Sequence, residues 1–245
     1  RIDYSNDTPT ASAKGPLSTG RYWHTATSNA DYGYFAGGKI GYGPSFPGLQ
    51  AYTSTIDRID FSSDTTTAPI RALLSKNSGE AGATGNRAYG YIIAGYPPKD
   101  SYNNRTIQRI DYSNDTAMPI DRGQTLANDY RNICTSAREN ALPVIGEYFN
   151  VIASELVPLY PTSQRGYWGG GGNHTWVDRM EFYNDTVQTT LKGAFAVLIN
   201  YGTAAVSSES YGYWCGGTDP SPSYLTTVQR LDYSDDNSTL LVKGP

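Results

Sequence analysis

The sequence contains little charge and no long apolar run. Only 17% of its 245 residues are Asp, Glu, Lys or Arg, and the formal net charge is -4, without a cluster of Lys and Arg. A basic patch is what nucleic acids and anionic membrane surfaces attract, so we expect no nucleic-acid partner. No segment reaches the roughly 18 consecutive apolar residues of a transmembrane helix, and we expect no membrane insertion.

Residues that bind metals or act as nucleophiles are also scarce. The only histidines, His24 and His174, are far apart in the sequence, so we expect no metal site and no cofactor. The pentapeptide G-x-S-x-G of serine hydrolases does not occur. The only cysteines, Cys134 and Cys215, stand beside apolar or small residues, which favours free buried thiols over a disulfide.

Glycine, proline and tyrosine are abundant, with 26, 14 and 21 copies. Glycine and proline favour turns and tyrosine favours strands, whereas long helices need more Ala, Leu, Glu and Lys. The composition therefore predicts an all-β protein in which many short strands are joined by turns. The chain is also long enough to bury a sizeable core.

One eight-residue pattern occurs five times, at intervals of 57, 51, 70 and 51 residues. The copies are "RIDYSNDT" at Arg1, "RIDFSSDT" at Arg58, "RIDYSNDT" at Arg109, "RMEFYNDT" at Arg179 and "RLDYSDDN" at Arg230. Intervals of this size are typical of propeller blades. The pattern therefore indicates that one packing arrangement is used repeatedly along the chain.

Each repeat is interpreted as four short strands, a to d. Strand a is small and polar, as in "HTATSN" from His24, and strand b is aromatic and ends in glycines, as in "YGYFAGG" from Tyr32. Strand c alternates, as in "TIDRIDY", and "SNDT" forms the turn to a less distinct strand d. Because a single blade cannot bury both of its faces, blades must pack around an axis. We therefore predict a β-propeller with four complete four-stranded blades and an extra outer strand pair.

The prediction is a single propeller segment over residues 1–245. Its units are a partial one over 1–16 and complete ones over 17–73, 74–125, 126–194 and 195–245, with an insertion at 137–164 in the third complete blade. Residues 1–16 align without gaps onto 230–245, so an unpaired c–d strand pair stands at the front. Two interpretations are open: a fragment of a propeller with five or more blades, which we favour, or a ring that neighbouring chains close.

The variable segments between strands b and c are predicted to lie on one face. Aromatic and amide side chains on a rigid frame suit the recognition of glycans or proteins. The alternative is that these segments are tolerant surface loops. The candidate binding residues are Tyr42, Phe46, Tyr52, Tyr102, Asn104, Trp176 and Tyr224.

The insertion at 137–164 has no counterpart in the other units. Its middle, "GEYFNVIASELV", spaces apolar residues four apart and could form one amphipathic helix. An apolar insertion of this kind is expected to contact its own blade or another subunit. The candidate contact residues are Tyr148, Phe149, Ile152 and Leu156.

Acidic residues recur beside the repeated arginines. A glycosidase uses two carboxylates of one asymmetric site, whereas these are distributed over every unit. We expect inter-blade ion pairs and turn bonds from them, and we expect that the protein is not an enzyme. The recurring residues are Asp3, Asp60, Asp111, Glu181 and Asp232.

Two resemblances bear on function. A Gly-Gly pair closing an aromatic strand, followed by a loop and "DY" with a turn, resembles the kelch repeat of β-propellers, although the Trp expected after the turn is missing in every copy. The run "RIDYSNDT" with "KGPL" and "YGYFAGG" is similar to repeats of virion structural and tail-fibre proteins of marine bacteriophages, particularly cyanophages.

The phage resemblance implies a non-enzymatic virion structural protein of a tail or tail fibre. Such a protein would act as a scaffold and attach to the host surface through its variable loops, and it would be extracellular once the virion is assembled. The implied partners are other virion proteins, further copies of the chain, and a host-surface glycan or receptor. The alternatives are a purely structural tail nozzle or shaft component and a carbohydrate-active propeller enzyme.

Overall fold

The computed structural model describes residues 1–2, 10–41, 51–95, 105–126, 133–135, 165–171, 174–208, 210–221 and 223–245, with 133–135 as backbone only. The fold is all-β, and its helical content in these ranges is limited to single 3₁₀ turns at Tyr112–Asn114 and Phe182–Asn184. No helix in the described ranges has the length and apolar character needed to cross a membrane.

Four antiparallel four-stranded sheets follow one another along the chain. The first blade consists of β1 Thr25–Ser28, β2 Tyr32–Ala36, β5 Thr55–Asp60 and β6 Ile70–Leu73, with a small hairpin of β3 Lys39–Ile40 and β4 Ala51–Tyr52 between β2 and β5. The second consists of β7 Gly82–Gly85, β8 Tyr89–Ile93, β9 Thr106–Asp111 and β10 Ile120–Gln124. The third consists of β11 Ile133–Thr135, β12 Arg165–Gly169, β13 Trp176–Glu181 and β14 Thr190–Ala194. The fourth consists of β15 Ala204–Ser207, β16 Tyr211–Cys215, β17 Val228–Asp232 and β18 Leu241–Gly244.

The blades are arranged as in a propeller. The innermost strands lie side by side, β1 against β7, β7 against β11 and β11 against β15. Within each blade the strands form a meander, and strand b pairs with strand c so that a tyrosine stands opposite the repeated arginine, as Tyr34 stands opposite Arg58. The predicted all-β propeller with four four-stranded blades is therefore confirmed.

The hydrophobic core lies between adjacent blades. Tyr34 of the first blade is fully buried and stacks on Tyr112 of the second, with 4.9 Å between ring centroids. The same contact recurs at the next two boundaries, between Tyr91 and Phe182 and between Tyr167 and Tyr233. The aromatic residue at the fourth position of the eight-residue pattern therefore packs on the strand-b tyrosine of the preceding blade, which explains why both positions repeat.

An aspartate at each boundary between complete blades binds three side chains of the preceding blade. The Asp115 carboxylate accepts hydrogen bonds from the Tyr34 hydroxyl at 3.0 Å, from Arg58 at 2.7 Å and from Arg71 at 2.8 Å. Asp185 is bound in the same way by Tyr91, Arg109 and Arg122, and Asp236 by Tyr167, Arg179 and Lys192. We call each such group an inter-blade aspartate cluster.

These clusters refine the expectation about the repeated acids. The arginines do form inter-blade ion pairs, but their acceptor is the aspartate at the seventh position of the pattern in the next blade. The third-position acids of three repeats make turn bonds instead: Asp60, Asp111 and Asp232 each accept the N–H of the residue two positions later. Glu181 differs, because it pairs with Arg179 of its own blade at 2.8 Å.

Stability should fall at acidic pH because of these clusters. Burial opposes ionisation of Asp115, Asp185 and Asp236, but hydrogen bonds from arginine, lysine and tyrosine outweigh it and hold the pKa of each carboxyl below its ordinary value. A lowered folded-state pKa contributes stability that is complete above the ordinary pKa of about 4 and is lost as the pH falls through the folded value. We expect the urea midpoint to be constant between pH 7.5 and 8.5 and to fall steadily below about pH 4. A midpoint unchanged down to pH 3 would contradict this assignment.

The partial first unit packs on the first blade. Backbone hydrogen bonds join Arg1 and Ser12 in both directions, at 2.6 and 3.0 Å, as expected of a c–d pair, although no strand is assigned there. Arg1 and Lys14 both reach the Asp64 carboxylate, at 3.0 and 3.2 Å. The extra outer pair thus supplies two of the three donors of an inter-blade cluster.

Of the two cysteines, Cys215 is a free thiol but is only half-buried, so the expected full burial is wrong for this residue. Cys215 and Trp214 are neighbours on strand b, so their side chains point to opposite faces of the sheet. Trp214 is fully buried in the core with Tyr167 and Val177 of the third blade, whereas Cys215 lies on the other face, which is less covered. The Cys134 side chain and the insertion at 137–164, including Tyr148, Phe149, Ile152 and Leu156, lie outside the described residues.

Candidate binding site on the first blade

Three connections meet at one end of the first two blades. Tyr22, in the segment leading into β1, exchanges two backbone hydrogen bonds with Lys39 at the start of the β3–β4 hairpin, at 3.1 and 2.7 Å. Gly38 then donates to the carbonyl of Ser78, in the segment leading into β7. These bonds fix the two entry segments and the hairpin against each other.

Trp23 is held in a strained conformation at this point. Its φ is 56°, in the left-handed region that is costly for a bulky residue, and 49% of the residue is exposed. Glu80 occupies the same position in the second blade, also has φ 56°, and donates its N–H to the Trp23 carbonyl at 2.9 Å. In the fourth blade this position is Gly202, with φ 78°. Positive φ is therefore a feature of the repeat at this position, which glycine adopts most easily, and the first blade has a tryptophan there.

Lys39 lies between two aromatic rings. Its ammonium group is 5.2 Å from the centroid of the Trp23 ring and 5.4 Å from that of Tyr52, within the range of cation–π attraction. Lys39 is buried, whereas Trp23 is half exposed and Tyr52 is partly exposed. We call Trp23, Lys39 and Tyr52 the Trp–Lys–Tyr site.

A buried ion pair holds the segment that precedes Trp23. Arg21 and Asp57 pair at 3.2 Å with both side chains fully buried, and Asp57 also accepts the backbone N–H of Ser18 at 2.8 Å. The bonds tie the segment before Trp23 to strand c. Removing one partner of such a pair leaves a buried charge, so the segment has little freedom to move.

The same position of strand c anchors the entry segment in other blades. Gln108 accepts the backbone N–H of Ser75 at 2.7 Å, and Gln229 accepts that of Val197 at 2.9 Å. In the first blade this position is the charged Asp57, and Arg21 compensates its charge. The entry segment of the first blade is thus held by stronger, charge-assisted bonds than those of the second and fourth blades.

The fourth blade has a simpler version of the Trp–Lys–Tyr site. Tyr201 and Thr218 form the bridge that Tyr22 and Lys39 form in the first blade, and Thr218 also bridges to Tyr224, as Lys39 pairs with Tyr52. Here Gly202 replaces Trp23 and Thr218 replaces Lys39. The two blades therefore share a backbone arrangement and differ in the side chains that could contact a ligand.

Three of the predicted binding residues are described. Tyr52 belongs to the Trp–Lys–Tyr site, Tyr224 is 89% exposed, and Trp176 stacks on His174 with ring centroids 4.0 Å apart. Trp176 is the first residue of β13 and is partly buried. Burial lowers the pKa of His174, which keeps its ring neutral at pH 7. The remaining candidates, Tyr42, Phe46, Tyr102 and Asn104, lie outside the described residues.

Sequence reasoning missed Trp23 and Lys39. The available signal was the alignment of Trp23 with Gly202, which marks a position where glycine is favoured. Lys39 directly follows the Gly-Gly pair, at the start of the variable segment between strands b and c. Among the described residues, no group of three or more His, Cys, Asp and Glu side chains is arranged to hold a metal ion.

Comparison with known structures supports the fold. The solved structure "Structure of YjhT" superposes with a TM-score of 0.64 at 9% sequence identity, and the alignment covers 95% of this chain and 68% of that chain. At this identity the likeness concerns the propeller fold alone. No protein-family model matches the chain, and comparison with curated proteins finds no match.

Proposed function

We propose that this protein is a non-enzymatic structural and attachment module of a bacteriophage tail or tail fibre, and that it binds a host-surface glycan at the Trp–Lys–Tyr site. The phage assignment rests on the likeness of the repeats to virion structural and tail-fibre proteins. The binding assignment rests on one observation: a half-exposed tryptophan is kept in left-handed backbone at a position that suits glycine. Strain of this kind is concentrated at functional sites.

The chemistry of the site suits a sugar. The exposed Trp23 ring offers an apolar surface on which the C–H face of a sugar ring can pack. The Lys39 ammonium group can donate hydrogen bonds to a hydroxyl or carboxylate, and Tyr52 adds a second aromatic wall. Because the ion pair of Arg21 and Asp57 holds the site, little conformational entropy has to be lost on binding.

A non-enzymatic role agrees with how the recurrent carboxylates are used. Asp115, Asp185 and Asp236 are each bound by a tyrosine and two cationic side chains of the neighbouring blade. Their hydrogen-bond acceptors are therefore committed to holding blades together. This favours adhesion over the carbohydrate-active alternative.

Trp23→Gly provides the decisive test. The substitution restores the glycine found in the fourth blade, so we expect the free energy of unfolding to change by no more than about 1 kcal/mol. Binding to immobilised cyanobacterial lipopolysaccharide, measured by surface plasmon resonance, should weaken about thirtyfold, as for a central aromatic contact.

Tyr224→Ala is the matched control, because Tyr224 occupies the position of Tyr52 in the fourth blade. This variant should bind like the wild type. Equal affinity of wild type and Trp23→Gly would refute the site. If the wild type bound no host polysaccharide yet joined purified tail proteins, the purely structural role would replace attachment. Turnover of the polysaccharide would instead support an enzyme.

A further inference from the structure

Lys39 is the only buried lysine among the described residues, with 9% of its surface exposed. In this part of the chain the rings of Trp23 and Tyr52 are the only partners of its ammonium group: no carboxylate lies within ion-pair distance, and no acceptor receives a hydrogen bond from it. Attraction to two rings offsets only part of what an ammonium group loses when it leaves water. The charge of Lys39 is therefore left without a counter-ion among the described residues.

The two acidic residues of this region do not compensate Lys39. Asp57 pairs with Arg21 at 3.2 Å and also accepts the backbone N–H and the hydroxyl of Ser18, each at 2.8 Å. Glu80 adjoins Trp23 through the bond from its backbone N–H to the Trp23 carbonyl, but its carboxylate forms no ion pair with Lys39. The buried carboxylate of the site is therefore used by Arg21, and Lys39 has no share in it.

The fourth blade shows that this backbone arrangement does not need a cation. Thr218 occupies the place of Lys39 and is also buried, and its hydroxyl donates a hydrogen bond to the Tyr201 carbonyl at 3.4 Å. A neutral side chain with a partner inside the protein therefore fills the position. Lys39 instead carries three N–H donors on a nitrogen that still contacts solvent, so a ligand atom can reach it.

We propose that the glycan bound at the Trp–Lys–Tyr site carries an anionic group, a carboxylate or a phosphate, and that Lys39 pairs with it. The inference rests on the proposed binding function and names the chemical class of the ligand. An anionic oxygen accepts charge-assisted hydrogen bonds from Lys39 while Trp23 packs on the sugar ring that carries the group. Because Lys39 is buried, solvent weakens this attraction little. Lys39 thus selects acidic over neutral polysaccharides.

Removing the anion from the polysaccharide tests the proposal without changing the order of its sugars. Carbodiimide activation followed by borohydride reduction converts the carboxylates of cyanobacterial lipopolysaccharide to alcohols, and hydrofluoric acid removes its phosphate esters. At least one treatment should weaken binding of the wild-type protein about tenfold in surface plasmon resonance, and that treatment identifies the source of the anion. Equal affinity for the untreated and both treated polysaccharides would overturn the proposal.

Lys39→Met removes the charge and keeps the length of the side chain. This variant should bind the untreated polysaccharide about tenfold more weakly than the wild type and should no longer distinguish it from the treated ones. Its melting temperature should be unchanged or higher, because an apolar group replaces a buried unpaired charge. Lys243→Met is the matched control: it changes the net charge equally at an exposed residue and should bind like the wild type. Wild-type affinity of Lys39→Met would also overturn the proposal.

The outcomes separate this inference from the proposed function. If Trp23→Gly weakens binding but Lys39→Met and removal of the anion do not, the site binds a neutral glycan, so the proposed function stands and the acidic class is wrong. If the wild type does not bind the untreated polysaccharide, the proposed function fails and the inference fails with it.

Discussion

Asp185→Asn should lower the free energy of unfolding by about 3 kcal/mol, because it leaves two guanidinium groups beside a neutral amide at a blade boundary. Asp185 is 97% buried by side-chain area and binds Arg109 at 2.9 Å, Arg122 at 2.6 Å and the Tyr91 hydroxyl at 3.0 Å. The amide that replaces one carboxylate oxygen would point N–H groups at donors. For a chain of this size the melting temperature should fall by about 6 to 12 °C in differential scanning calorimetry.

Asp64→Asn is the matched control at the first boundary. Asp64 has the same place in its repeat, but its partner Arg1 is largely exposed and no tyrosine is among its described bonds. Solvent screens such a pair, so the melting temperature should change much less than for Asp185→Asn. Equal effects of the two substitutions would show that burial does not determine the strength of these clusters.

Gly193→Val should be comparably destabilising, by about 3 kcal/mol, for a steric reason. A Cβ at Gly193 would overlap the carbonyl oxygen of Ser238, and the Gly193 N–H donates to the Asp236 carbonyl at 2.7 Å. Any side chain therefore forces the third and fourth blades apart and stretches the Asp236 cluster. Urea unfolding followed by tyrosine and tryptophan fluorescence would measure the loss.

Gly244→Val is the control, at the same position of the fourth blade. No atom of the described residues lies within 4 Å of the added Cβ, so the free energy of unfolding should stay within about 0.5 kcal/mol of wild type, as for other surface positions. The first blade has Ala72 at this position, so that boundary accommodates one methyl group. Equal free energies of unfolding for Gly193→Val and Gly244→Val would contradict the prediction, because moving the third and fourth blades apart would then cost nothing.

Both predictions concern the same contact, the boundary between two adjacent blades. At each boundary of complete blades, the fourth-position aromatic stacks on a tyrosine and the seventh-position aspartate binds that tyrosine and two cations. The residues that repeat in the sequence are therefore those that join one blade to the next. The segments that vary, such as the β3–β4 hairpin, lie between them.

The sequence by itself determined the fold class, the strand order within each blade and the strand-ending glycines. Repetition made this possible, because each strand occurs several times in the sequence and the positions that agree among the copies show the strand pattern. Gly37 and Gly38 illustrate it: both have positive φ, as do Gly170 and Gly171, and Gly216 and Gly217. Two successive left-handed residues end strand b, and in these three blades both are glycine, the residue type that adopts this conformation most easily.

Only the tertiary structure decided which residues meet across blades. The repeated Arg and the seventh-position Asp are six positions apart in the sequence of every copy. Arg58 nevertheless binds Asp115 of the next blade, 57 positions along the chain. The Trp–Lys–Tyr site likewise joins an entry segment to a hairpin, and its strain is visible only in the φ of Trp23. A repeat specifies contacts within one unit through its own periodicity, but contacts between units depend on how the sheets twist and pack around the axis.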